Sequence, residues 1–151
     1  MYKRPECICH QESIFPISFH DTDAMGVIWH GNYFKFFELA REALFEKIGY
    51  GYPEMKEEGF SYPVTECTCR FRHSLSVTDK LLRIDALLTE YENRIIIHYE
   101  IYTGDGSKLC AYGKTQQVAV KSKSRELLFD TSSRFQDAVK KFAGASHEIS
   151  D

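Results

Sequence analysis

One segment of the sequence is apolar around most of a helical circumference. In residues 32–48, "NYFKFFELAREALFEKI", apolar side chains recur every three or four positions, which is the period of an α-helix. Phe34 and Phe45 widen the apolar stripe, so one flat contact would not cover it. Gly49 follows the segment and predicts its C-terminal end. The rest of the chain is therefore expected to wrap around this helix on more than one side.

The other apolar segments alternate with a period of two, which is typical of strands. Pro16 favours an edge position or a bulge for the first of them. The predicted strands are residues 13–19, 64–73, 81–91, 94–103 and 108–121. One strand, a long helix and then four strands in succession predict an α+β fold. We expect a mainly antiparallel, five-stranded sheet that curls around the long helix.

The chain is predicted to form a single domain over residues 1–151, with its core at about 13–122. Its 151 residues are enough to bury a core, and the sequence contains neither an internal repeat nor a linker. Residues 52–59 predict a short helix or turn. The sequence "TSSRFQDAVKKFAG" predicts an amphipathic helix at about 131–143, ended by Gly144.

The overall charge argues against nucleic acid as the main partner. The formal net charge is −3, whereas phosphate backbones require a basic surface. No apolar run approaches transmembrane length, and the first residues carry no apolar signal-peptide core. These features predict no membrane partner and a cytoplasmic location.

The cysteines allow two interpretations. The count is odd, at five, which fits reduced thiols in buried or edge-strand positions. Alternatively, Cys7, Cys9 and His10 could join Cys67 and Cys69 around a metal ion. Neither C-x-C pair has the usual spacing of a structural zinc site, so we expect no metal.

The segment from Phe19 to Tyr33, "FHDTDAMGVIWHGNY", resembles the motif of the 4-hydroxybenzoyl-CoA thioesterase and YbgC-type acyl-CoA thioesterase family. Weaker similarities follow in "FFELAR", "TDKLLRI" and "GKTQQVAV", so the resemblance covers roughly residues 14–121. It implies a hotdog fold, in which a sheet wraps a central helix. It also implies a homodimer with the sheets joined edge to edge, often paired again into a homotetramer, with active sites shared at the dimer interface.

By this resemblance Asp23 is the catalytic residue. A carboxylate can attack a thioester carbonyl as a nucleophile or deprotonate a water as a general base, and the sequence leaves both roles open. The structural alternative is that Asp23 only caps a turn before the helix. Asp21 is expected to be structural, because Asp commonly accepts hydrogen bonds from nearby backbone in such turns.

His30, Gly31 and Asn32 are expected to position the substrate at the start of the long helix. A helix N-terminus offers free N–H groups and partial positive charge, which suit an oxyanion. The resemblance implies that the backbone N–H of His30 polarises the thioester carbonyl. Alternatively, the imidazole caps the helix or pairs with an acid. We expect Asn32 to be the N-cap residue.

A carboxylate within the long helix offers a second catalytic candidate. In another branch of hotdog thioesterases the catalytic acid lies on this helix, which would correspond to Glu38 here. Arg41 lies three residues further on, so an ion pair between the two is the simpler interpretation.

Coenzyme A carries phosphates, which need cations. The resemblance implies a basic phosphate contact at Arg94, and His73 stands where relatives often have Lys. Lys121 belongs to a basic run after the last strand. The simpler interpretation of each of the three is an ordinary solvated charge. Glu92 departs from the more basic turn of the hydroxybenzoyl enzyme.

The sequence therefore predicts an acyl-CoA thioesterase without a cofactor. One alternative is a thioesterase that acts on acyl–acyl carrier protein, and another is a hotdog protein that binds acyl-CoA without hydrolysing it. The acyl group stays open, because the Phe and Tyr side chains suit an aromatic or an aliphatic pocket.

Overall fold

The computed structural model describes residues 1–150, with side chains through residue 145. Most of the chain lies in regular elements. In chain order these are β1 (Cys9–Pro16), α1 (Asn32–Ile48), α2 (Tyr52–Glu58), β2 (Phe60–Ser61), β3 (Val64–Phe71), β4 (Leu81–Glu90), β5 (Ile95–Thr103), β6 (Leu109–Gln117), β7 (Val120–Lys121) and α3 (Ser133–Ser150).

Five strands form one sheet in the order β1-β4-β5-β6-β3, and every neighbouring pair is antiparallel. The predicted α+β architecture is confirmed. Pro16 ends β1, which is an edge strand, as its missing N–H predicts. The other edge strand is β3.

The predicted boundaries of the first and last strands were wrong. The first strand spans Cys9–Pro16 and not residues 13–19, because β4 extends far enough for Cys9 to pair with Leu88. The predicted strand 108–121 is interrupted after Gln117. Residues 120–121 form β7, which leaves the main sheet and pairs with β2.

The helix α1 lies across one face of the sheet, and its side chains fill the core. Phe37 is fully buried and stacks on Tyr99 of β5, with ring centroids 4.3 Å apart and an interplanar angle of 8°. Gly113 of β6 permits this contact, because a Cβ atom there would lie 2.9 Å from the Phe37 ring. Burying each such aromatic side chain stabilises the fold by about 1.5–3 kcal/mol. The helix ends before Gly49, as predicted.

The helix α3 packs over the C-terminal end of α1. Phe135 is fully buried, and its ring centroid lies 5.8 Å from that of Phe45 and 5.3 Å from that of Tyr50. The prediction that Gly144 ends this helix was wrong, since α3 continues to Ser150. Glycine tolerates helical backbone at a cost of about 1 kcal/mol relative to Ala. Among the described residues, no helix is long and apolar enough to cross a membrane.

The first residues of the chain cover the outer face of the sheet, opposite α1. Asp85 of β4 and Glu100 of β5 are direct cross-strand partners on this face, and both are almost fully buried. Arg4 donates to Glu100 at 2.7 Å and to Asp85 at 2.8 Å. Two buried carboxylates side by side would repel each other, so this guanidinium fixes the N-terminal segment to the sheet.

Candidate active site

The loop between β1 and α1 folds back on itself as a small hairpin. Thr22 and Ile28 form an isolated antiparallel bridge. Within it, the Asp23 N–H donates to the Val27 carbonyl at 2.8 Å, and the Gly26 N–H donates to the Asp23 carbonyl at 3.0 Å. Gly26 has a φ of 81°, which only glycine adopts without strain. The loop therefore holds Asp23 on a defined backbone.

The Asp23 carboxylate is only partly engaged by the protein. It is half-buried, and its Oδ1 accepts the Met25 N–H at 2.8 Å. No other group within the described residues bonds to this carboxylate, so Oδ2 is open. The side chain thus caps its own turn and still has an oxygen available for chemistry.

Asp21 faces inward and is 2% exposed. Its Oδ2 accepts the Ser18 N–H at 2.8 Å and the Ser18 hydroxyl at 3.1 Å, and its Oδ1 accepts the Lys35 ammonium. Burial alone would raise the pKa of Asp21, but the hydrogen bonds from Lys35 and Ser18 outweigh burial and lower it. Asp21 binds nearby backbone, as predicted, and stays ionised to support the loop.

The start of α1 differs from the expectation. Asn32 is the first helical residue and not the N-cap, which is Gly31. The Asn32 side chain instead donates to the Asp21 carbonyl at 2.9 Å, and its N–H donates to the Trp29 carbonyl at 2.9 Å. In the described part of the chain, the backbone N–H groups of His30 and Gly31 have no acceptor. These two N–H groups are the donors open to a ligand.

The His30 side chain lies on the surface beside Trp29, with ring centroids 5.0 Å apart. It neither caps the helix nor pairs with an acid among the described residues, so that alternative was wrong. The Trp29 ring also lies over Gly31, where an added Cβ would fall 2.3 Å from it. A glycine is required there for the indole to cover the helix start.

The predicted ion pair between Glu38 and Arg41 was wrong. Arg41 points inward and donates to the Tyr99 hydroxyl at 3.5 Å, while Glu38 is exposed. Both residues line a groove of about 1390 Å³ between α1, α2 and the β2–β7 pair. Phe45, Met55 and Tyr62 provide apolar lining. The sequence indicated the short helix α2 but not the β2–β7 pairing that closes this groove.

The three predicted phosphate contacts are not brought together within one chain. Arg94 precedes β5 and already binds Glu90 at 2.8 Å and Gln116 at 3.0 Å. Lys121 is exposed on β7, near the same end of the sheet. His73 follows β3 at the opposite end, where its N–H donates to the Cys110 carbonyl. The two ends lie roughly 20 Å apart along the strands.

The structure excludes the alternative of a shared cysteine metal site. Cys9 lies on β1 and Cys67 and Cys69 lie on β3, the two opposite edges of the sheet. Four inter-strand steps separate them by roughly 19 Å. All five cysteines are free thiols.

Comparisons with known proteins place this geometry in context. A family model described as the thioesterase-like superfamily matches residues 17–143. A DHNA-CoA thioesterase of Staphylococcus aureus superposes with a TM-score of 0.80 at 25% identity, covering 92% of this chain and 94% of that one. The likeness extends over nearly the whole sheet and its helices, and it confirms the hotdog architecture.

Curated relatives match over shorter stretches. A putative esterase of Aquifex aeolicus is 32% identical over 63 residues, which is 42% of this chain and 49% of that protein. A putative acyl-CoA thioesterase of Bacillus subtilis is 25% identical over 91 residues, which is 60% of this chain and 65% of that protein. The matched region thus spans about half to two thirds of these relatives.

Proposed function

The chain belongs to the thioesterase-like superfamily, and we propose that it hydrolyses acyl-CoA thioesters to a carboxylic acid and free CoA. The observation that carries the proposal is the loop before α1. It presents the open oxygen of Asp23 on the same small hairpin that leads to the open N–H groups of His30 and Gly31. A carboxylate beside oxyanion donors at a helix start is the arrangement that acyl transfer to water needs.

Asp23 supports either of two balanced routes. As a nucleophile, its oxygen attacks the thioester carbon and expels the CoA thiolate, and water then hydrolyses the mixed anhydride. As a general base, it takes a proton from a water whose oxygen attacks the same carbon; the tetrahedral intermediate then collapses to the carboxylic acid, breaking the C–S bond, and the departing CoA thiolate takes the proton from Asp23. In both routes the carbonyl oxygen becomes negative, and the N–H groups of His30 and Gly31 stabilise that charge.

A homodimer would complete the site. Among the described residues, the outer edge of β3 has no neighbouring strand, and Val64 and Phe71 at its two ends are 43% and 52% exposed. The Asp23 loop lies at the Phe71 end, whereas the groove lies at the Val64 end, next to Gln117. Antiparallel pairing of two β3 strands about a two-fold axis would place each Asp23 loop beside the partner's groove. Tetramer formation and a cytoplasmic location stay predictions.

The test is the variant Asp23→Asn, with Asp137→Asn on α3 as a matched control that removes the same charge. We expect Asp23→Asn to lower the rate of free-thiol release from acyl-CoA about 100-fold or more, because it removes the reacting carboxylate. Circular dichroism checks that both variants are folded. Wild-type turnover in Asp23→Asn would contradict the mechanism.

The substrate panel decides between the remaining readings. It should contain aliphatic acyl-CoAs of graded length, benzoyl-type CoAs, and one acyl group carried by both CoA and acyl carrier protein. Faster hydrolysis of the acyl group on acyl carrier protein than on CoA would indicate that the acyl carrier protein thioester is the substrate. Measurable CoA binding without thiol release from any thioester would indicate a non-catalytic binding protein.

A further inference from the structure

We propose that a second cleft, on the outer face of the sheet, binds the nucleotide end of coenzyme A through Arg70 and Arg72, with the ring pair Tyr2–Tyr112 as a wall. The cleft has a volume of about 510 Å³ and lies between β3, β6 and the first residues of the chain. The inference rests on the proposed function, because it assigns the non-reacting part of the same substrate.

Strand alternation directs the two arginines away from α1. Cys69 and Phe71 pack towards the helix side, so Arg70 between them points to the outer face. Arg70 is the cross-strand partner of Tyr112 on β6. The Arg72 N–H donates to the Cys110 carbonyl at 2.8 Å, which keeps the backbone of Arg72 beside β6 after the strand has ended. Both guanidinium groups therefore reach the same cleft.

Within one chain, neither guanidinium is neutralised. Both side chains are exposed, and no carboxylate among the described side chains pairs with either of them. Two uncompensated arginines side by side make a positive patch on a chain whose net charge is −3. The planar fork of a guanidinium matches two phosphate oxygens, so the patch suits a diphosphate or a phosphate ester.

The aromatic wall is held in place by the buried carboxylates. The rings of Tyr2 and Tyr112 lie 4.2 Å apart, and the Tyr2 hydroxyl donates to Glu100. Burial and the neighbouring Glu100 raise the pKa of Tyr2, so its hydroxyl stays protonated and keeps donating. Arg4 fixes the same segment on Asp85 and Glu100. The wall is thus ordered before any ligand arrives, and it offers an aromatic surface next to the cations.

The cleft also lies at the correct end of the sheet. Phe71, between the two arginines, contacts Tyr33 in the first turn of α1, with ring centroids 5.0 Å apart. The open N–H groups of His30 and Gly31 directly precede this turn. Within one chain, Arg94 and Lys121 lie at the far end, and Arg94 is already engaged by Glu90. Within one chain, Arg70 and Arg72 therefore lie at the end of the sheet that carries the Asp23 loop, and no ion pair among the described residues engages them.

The kinetic test compares Arg70→Gln/Arg72→Gln with Lys140→Gln/Lys141→Gln, which removes two exposed charges from α3. The substrates are one acyl group on CoA and the same acyl group on pantetheine, which lacks the nucleotide. We expect the arginine variant to raise KM for acyl-CoA about tenfold. The ratio of kcat/KM for acyl-CoA to that for acyl-pantetheine should fall by the same factor. The assignment would be overturned if the arginine variant left this ratio unchanged. It would also be overturned if Arg94→Gln alone lowered the ratio by the same factor.

A binding test separates this inference from the proposed activity. Calorimetric titration of the wild type and both double variants with CoA, ADP and inorganic pyrophosphate measures the cleft without turnover. Weaker CoA and ADP binding in the arginine variant alone supports the cleft, even where no thioester is hydrolysed. If the wild type releases thiol and the arginine variant binds CoA as tightly as the wild type does, the cleft is not the nucleotide site. That result would leave the proposed thioesterase activity intact. ADP that binds while CoA does not would also overturn it.

Discussion

Asp21 and Asp23 are two residues apart, yet their carboxylates meet different surroundings. Asp21 is buried and held by Lys35 and Ser18, whereas Asp23 keeps one oxygen open on the loop that precedes α1. The sequence motif could separate these roles, because the family resemblance assigns the catalytic carboxylate to Asp23, whereas an Asp at position 21 fits a turn in which it accepts hydrogen bonds from nearby backbone. It could not predict that Asn32 would hydrogen-bond back to the Asp21 carbonyl, since that contact depends on how the loop closes.

The ion pair between Lys35 and Asp21 predicts a pH-dependent stability. The pKa of Asp21 is lowered from 3.8, so its ionisation stabilises the fold above about pH 4 and this contribution is lost as pH falls through the lowered pKa. Lys35→Gln removes the cation and should lower the free energy of unfolding at pH 7 by about 1–2 kcal/mol, discounted for the exposure of the ammonium.

Urea unfolding of wild type and Lys35→Gln between pH 3 and pH 7 measures this difference. We expect the difference in the free energy of unfolding between the wild type and Lys35→Gln to narrow as Asp21 becomes protonated below about pH 4. Lys47→Gln, an exposed lysine at the end of the same helix, should show a small and pH-independent effect. A difference in the free energy of unfolding that stays constant between pH 3 and pH 7 would contradict the role assigned to Asp21.

At the scale of elements, the contact between α1 and the sheet depends on one glycine. Gly113 brings β6 close enough for Phe37 to stack on Tyr99. An added Cβ would lie 2.1 Å from the Thr68 carbonyl oxygen of β3 as well as 2.9 Å from the Phe37 ring. The backbone of β3 cannot move aside without breaking its pairing with β6.

We expect Gly113→Ala to lower the free energy of unfolding by about 3 kcal/mol, the upper end of the range for overpacked cores. The matched control is Gly144→Ala in α3, where an added Cβ meets nothing within 4 Å. That control should be neutral or stabilise the protein by up to about 1 kcal/mol, since Ala favours helices. Thermal unfolding of both variants measures the contrast. Equal melting temperatures for the two would contradict the steric argument.

The elements were predictable where the pattern was local. Periodicity in residues 32–48 and alternation in the strands decided the sheet and its central helix. The pattern did not reveal that residues 120–121 leave the main sheet for β2, because both segments remain β-like. It also misplaced the end of α3 at Gly144, because no local rule says whether a glycine ends a helix or continues it.

At the scale of the whole molecule, one chain places its two functional regions at opposite ends of the sheet. The Asp23 loop and the Arg70–Arg72 cleft lie at the Phe71 end of β3, and the groove lies at the Val64 end. The sequence could name Asp23, His73 and Arg94 as candidates by resemblance to the family, and Lys121 as part of a basic run. It could not show their separation, because that depends on the pairing register of β3 and β5 with β6.

This arrangement predicts that activity requires pairing of two β3 strands. Thr68 is exposed near the middle of β3, where a two-fold axis would bring it close to its own copy. Thr68→Lys or Thr68→Glu would each place like charges opposite one another in the dimer. We expect each variant to shift the mass measured by light scattering from dimer towards monomer and to lose thiol release in parallel.

Mixing the two variants provides the control, because Lys and Glu would then face each other. If pairing of β3 is the cause, an equimolar mixture should recover both the dimer mass and turnover, since opposite charges across strands attract. Recovery excludes misfolding of either variant as the explanation. A fully active wild type that is strictly monomeric would contradict an active site shared across the β3 edge. Thr68 variants that stay dimeric and active would contradict it as well.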